Sequence, residues 1–112
     1  MATLDQDTRD GVKVVRISGS LNQHGVDTVE SAFNDATGSS GRLVVDLSGV
    51  DMVNTPAIAM FLGAHRAAKQ TGGRLVFTGI QGMVHDLLRR CRLDTVLTIA
   101  PEMGEAIEWA KQ

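Results

Sequence analysis

The chain carries a single cysteine, Cys91, among 112 residues. One thiol excludes an internal disulfide framework and offers no metal-ligand spacing. Cys91 falls at helical intervals from Val84, Leu87 and Leu88, which predicts a buried, inert thiol. Long apolar runs are missing too. The most apolar stretch, Pro56 to Gly63, is far too short to span a bilayer. Residues 1–10 are polar and acidic, without the apolar run of a signal peptide. A cytoplasmic chain with no direct membrane insertion is therefore expected. There is no basic excess. The formal net charge of −2 gives no positive field for a nucleic-acid backbone. Arg89, Arg90 and Arg92 form the one tight cationic group, which reads as a solvated helix end.

The patterns of catalysis are also absent. His24, His65 and His85 lie in different elements, with no cysteine or carboxylate at metal-ligand spacing. No nucleophile–base pairing stands out. Gly72-Gly73 and Gly79 to Gly82 lack the spacing of a phosphate-cradling loop. Asp46, Asp51 and Asp94 are far apart, so paired acid–base work is not indicated. The expectation is a non-enzyme with no metal and no cofactor. Asp46 nonetheless sits near the end of a buried strand, where it needs a partner to offset desolvation.

What the chain does have is a regular alternation of strands and helices. Residues 2–8 read as a weak edge strand, and Asp10-Gly11 as a hairpin turn. Val12 to Ser18 alternates like a strand, and Gly19 to Gly25 reads as a loop. Val26, Val29 and Phe33 mark an amphipathic helix over 26–37, which Gly38-Ser39-Ser40-Gly41 breaks. Leu43 to Leu47 is a continuous apolar run with one Asp, the pattern of a strand buried on both faces. A long helix over 55–71 follows, opened by Pro56 and stopped by Gly72-Gly73. Arg74 to Thr78 is a strand. Met83, Val84, Leu87, Leu88 and Cys91 form one helical stripe. Thr95 to Ile99 reads as a last short strand, and Pro101 opens a final helix. The prediction is one α/β domain over 1–112, in the order β-β-α-β-α-β-α-β-α. Its mixed sheet has five strands, with about four helices.

The junction Asn54-Thr55-Pro56 is the candidate site. The residue before a proline is pushed out of the helical region, which suits Thr55 to an N-cap. In one reading its hydroxyl only caps the helix, worth about 1 kcal/mol. In the other it is open to a kinase, and a phosphate would sit beside the positive end of the helix dipole.

Leu43-Val44-Val45-Asp46-Leu47-Ser48-Gly49-Val50-Asp51-Met52-Val53-Asn54-Thr55-Pro56-Ala57-Ile58-Ala59 resembles the signature of STAS domains. In that signature a buried strand ends in Asp-Leu-Ser, and Asp-Ser-Ser-Gly-Leu-Gly opens a helix. Ile17-Ser18-Gly19-Ser20-Leu21-Asn22 is similar to the upstream Gly-Glu-Leu-Asp turn of that family. Gly72-Gly73-Arg74-Leu75-Val76-Phe77 and Leu93-Asp94-Thr95-Val96-Leu97 also fall in register. The chain departs from the pattern at Asn22 and Asn54, where the family has Asp. It departs again at Pro56 and Ala57, where the family has Ser and Gly.

The resemblance implies a STAS-like fold and an anti-sigma-factor antagonist. Such a protein binds an anti-sigma factor that is also a serine kinase, and phosphorylation ends the binding. Thr55 stands at the modified position. Asn54, Pro56, Ala57 and Ile58, with Asn22 and His24 on the neighbouring loop, would form the partner-binding edge. Two other roles carry the same resemblance: an accessory subunit of a lipid-trafficking ABC transporter, and a stressosome-like scaffold subunit.

Overall fold

Asp10 and Gly11 both take positive φ, 53° and 79°, the backbone of a tight two-residue hairpin between twisted strands. This turn joins β1 (Thr3–Arg9) to β2 (Val12–Leu21). The two pair antiparallel from Thr3↔Ser18 to Arg9↔Val12. The structure, a computed structural model, describes residues 2–38 and 41–112. Ser39 and Ser40, in the predicted break after the first helix, lie outside the described residues. The remaining elements are α1 (Gln23–Gly38), β3 (Arg42–Val53), α2 (Thr55–Thr71) and β4 (Arg74–Thr78). After them come α3 (Gly82–Arg90), a 3-10 turn at Leu93–Thr95, and α4 (Met103–Lys111).

The sheet order is β1-β2-β3-β4. β2 runs parallel to β3, and β3 parallel to β4. The sheet is therefore mixed, with the hairpin supplying its antiparallel pair. β3 is central and buried on both faces, Val44 on one side and Val45 on the other. One face packs Val15, Ile17, Val45, Leu47, Leu75 and Phe77 against α1, α2 and α3. Phe33, Phe61 and Phe77 meet edge-to-face there, with ring centroids 6.1 and 5.4 Å apart. The other face packs Val12, Val14, Val44 and Val76 against Ala106, Ile107 and Ala110 of α4.

The β2–β3 register slips twice. Arg16 pairs with Asp46 but Ser18 with Gly49, and Gly19 pairs with Val50 but Ser20 with Met52. Each slip adds one residue on β3, the signature of a β-bulge. The bulges carry the strand on to Val53, six residues past the predicted end at Leu47. The first puts Val50 in the core out of the two-residue alternation, and the second brings Val53 back into phase with Leu47.

Two expectations are corrected here. The sheet has four strands among the described residues, not five. Thr95 is drawn into a 3-10 turn, where its hydroxyl donates to the Arg92 carbonyl at 2.7 Å. Leu93 and Leu97 both reach the core, and the Leu97 N–H donates to Leu93 O at 2.8 Å, a bond between residues four apart that extended backbone cannot make. Only residues 98–100 run along β4, through Phe77 N–H to Thr98 O and Ala100 N–H to Phe77 O, both at 2.8 Å. Cys91 is exposed, not buried. The helix ends at Arg90, and Arg92 turns the chain with φ 59°, so the apolar stripe stops at Leu88. Among the described residues no helix is long and apolar enough to cross a membrane.

Candidate functional site

Two helices begin side by side at the carboxyl end of the sheet. Asn22 caps α1: its Oδ1 accepts the Gly25 N–H at 2.8 Å, and its carbonyl accepts the Val26 N–H at 2.9 Å. Gly25 is required there, because a Cβ would lie well inside contact with the Ser20 carbonyl oxygen. The helix thus begins at Gln23, inside the segment expected to be loop.

Asn54 holds the start of α2 against this turn. Its backbone is extended, with φ −131° and ψ −173°, and its N–H donates to Leu21 O at 3.2 Å. The side-chain amide repeats the link. With the amide oriented to suit its neighbours, Nδ2 donates to Leu21 O at 2.9 Å and Oδ1 accepts the Gln23 N–H at 3.1 Å. A carboxylate could make only the second of these bonds, which gives a physical reason for Asn at a position where Asp was the pattern.

The first turn of α2 corrects the expected cap. The Ile58 N–H donates to the Asn54 carbonyl at 3.1 Å, so Asn54 is the N-cap and Thr55 the first helical residue. Thr55 is exposed, and its hydroxyl bonds to none of the described residues. Pro56 follows and brings no N–H. The N–H groups of Thr55 and Ala57 remain without an intrahelical acceptor, as helix starts require.

The residues grouped by sequence separate by depth. Asn22, His24 and Thr55 are exposed, and Asn54, Pro56 and Ile58 are half-buried. Ala57 is fully buried and packs in the core, so it offers no surface. Asn22 and Asn54 are brought together through Leu21 and Gln23. His65 and His85 lie elsewhere, on α2 and α3. Asp46 finds its partner locally, accepting the Ser48 N–H at 2.9 Å.

A groove beside this end was not legible in the sequence. It encloses about 600 Å³ between the end of β3 and α3, and Met52, Val53, Met83, Leu87 and Arg90 line it. Met83 is 70% exposed and Met52 38%. Met83 belongs to the helical stripe read from the sequence. It lies on the first turn of α3, where its neighbour Val84 takes the buried position instead.

This architecture, a hairpin-led mixed sheet with a hydroxyl residue opening the helix after its central strand, is matched by a family model described as STAS domain over residues 3–106. The chain belongs to the STAS domain family. A STAS relative from Paenibacillus polymyxa, an anti-sigma F factor antagonist, is 26% identical over 91 residues, 80% of this chain and 78% of the relative. The crystal structure of an anti-sigma factor antagonist from Mycobacterium paratuberculosis superposes with a TM-score of 0.88 at 20% identity. It covers 100% of this chain and 96% of that one. The Bacillus cell fate determinant SpoIIAA in its phosphorylated form gives a TM-score of 0.67 at 16% identity, over 95% of this chain and 97% of that one. At these identities the two structures establish the STAS fold. Among the described residues of this STAS domain, no group of three or more His, Cys, Asp or Glu side chains could hold a metal ion.

Proposed function

We propose that this STAS domain is a non-catalytic protein–protein switch of the anti-sigma-factor-antagonist kind. An anti-sigma factor with serine-kinase activity docks on the Thr55 end and phosphorylates Thr55. One observation carries the reading: the hydroxyl that opens α2 is exposed and bonded to none of the described residues. The names of relatives point the same way, one an anti-sigma F factor antagonist and one a protein solved in a phosphorylated form.

The chemistry is favourable at that atom. A phosphate on Thr55 carries nearly two negative charges. The unpaired N–H groups of Thr55 and Ala57 and the helix dipole stabilise it by about 1 kcal/mol. The fold therefore accommodates the modified side chain. A partner seated across Thr55, Asn22 and His24 meets new charge and bulk in the same place, and is released by repulsion rather than by unfolding. The Met52–Met83 groove supplies adjacent apolar area, and methionine side chains adapt readily to a docked surface.

The test uses the purified chain, its cognate kinase and ATP. One phosphate on Thr55 is expected by peptide mass spectrometry, and none on Thr55→Val. Thr55→Glu is expected to weaken the complex by about tenfold or more, through like-charge and desolvation costs. An unmodified Thr55, together with a complex indifferent to Thr55→Glu, sinks the proposal.

A further inference from the structure

At the other end of α2, about 21 Å along the helix from Thr55 at 1.5 Å per residue, a second cavity opens. It encloses about 290 Å³ between α2, the free edge of β4 and α4. Its walls carry three basic side chains, His65, Lys69 and Arg74, beside Trp109 and Thr98, and no Asp or Glu lines it. Lys69 forms no ion pair with any described residue. The Arg74 guanidinium spends one donor on the Trp109 carbonyl, at 3.2 Å, and keeps the others. Desolvation, then the charges of Lys69 and Arg66, hold His65 below the ordinary histidine value of 6.5. Burial is the larger cause, and the two cations add to it.

The strand edge adds a directional group. In β4 the Arg74 N–H points inward, donating to Gly41 O at 2.9 Å. Phe77 points outward, to Thr98 O and Ala100 N–H. Strand alternation therefore aims the N–H and C=O of Leu75 outward as well. Residues 98–100 cover the edge only at Phe77, and Leu75 faces the cavity. A backbone donor and two cations with spare donors thus border a space that Ala68, Leu75, Val76 and the indole of Trp109 share with Thr98 and Gln112.

We propose that this cavity binds a small organic anion with a planar apolar body. The carboxylate or phosphate head lies against Lys69, Arg74 and the Leu75 N–H, and the body lies on Trp109. The site is separate from the Thr55 end and stands whether or not Thr55 is modified.

Trp109 is the only tryptophan and the chain has no tyrosine, so intrinsic emission reports on this cavity alone. The full chain is titrated with benzoate, phenyl phosphate and the neutral isostere benzamide. Trp109 emission and the Leu75 amide resonance are followed together. At least one anion is expected to saturate both signals, at least about tenfold more tightly than benzamide, since bonds to charged groups are the strong ones. Whichever anion binds more tightly identifies the head group. Lys69→Gln removes a cation that holds no other part of the fold, and is expected to weaken binding about fivefold or more. The proposal is overturned by the absence of saturation with either anion. It is equally overturned by benzamide binding as well as the anions, or by unchanged affinity in Lys69→Gln.

Discussion

Asn54 sits between two loops and bonds to both, and its amide donates and accepts at once in one plane, which a carboxylate cannot do. Replacing it by a carboxylate tests that geometry. Asn54→Asp keeps the acceptor for the Gln23 N–H but sets an oxygen against the Leu21 carbonyl, 2.9 Å from the atom it replaces. A loss of about 1–3 kcal/mol in unfolding free energy is expected at neutral pH, measured by chemical denaturation. The loss should shrink on acidification, because a protonated carboxyl can donate to Leu21 O. Stability of the variant relative to the parent therefore rises as pH falls through the carboxyl's folded pKa. A variant as stable as the parent at pH 7 would remove the amide from this role. At the same scale, Thr55 could be singled out from sequence because Pro56 pins the helix start. Its exact place could not. Whether a threonine caps or follows the cap depends on which carbonyl accepts the Ile58 N–H, and that is decided by how Asn54 is held by the turn after β2.

Elements bounded by chemical punctuation were legible, and those bounded by tertiary contacts were not. Pro56 and Gly72-Gly73 delimit α2, and the run Arg74 to Thr78 is β4, each as read from the residues. β3 outran its apolar run because bulges have no period to detect: Ser48, Gly49 and Asp51 are exposed, yet they belong to the strand. Residues 95–99 carry strand-forming side chains, but the 3-10 turn and the burial of Leu93 and Leu97 claim half of them. What remains of that expected strand is tied down by a side chain. The buried Thr78 hydroxyl donates to the Ala100 carbonyl at 3.0 Å, next to the two backbone bonds at Phe77. Thr78→Val leaves that carbonyl short of its donor in a dry place, and should cost about 1–2 kcal/mol. Amide hydrogen exchange at Ala100 should accelerate by more than exchange at Phe33 on the opposite face. Uniform acceleration of both would show that residues 98–100 are not a separable unit.

For the molecule as a whole, the sheet divides the interior unequally. Three helices and all three phenylalanines share one side, while α4 alone closes the other with alanines, one isoleucine and the valines of the strands. Phe61 lies between Phe33 and Phe77 and is fully buried. Phe61→Ala should lose about 3–5 kcal/mol. That is a large share of the 5–15 kcal/mol typical of a domain, and the denaturation midpoint should fall accordingly. A fall of less than 1 kcal/mol would mean that the larger side does not carry the fold. The amide of Asn54 has a consequence on this scale too. It works as a hyphen between two turns, so the starts of α1 and α2 are held at a set spacing. In the proposed switch a visitor to that end would read the interval between two helix starts, and a substitution on either turn would be felt as a misprint in both.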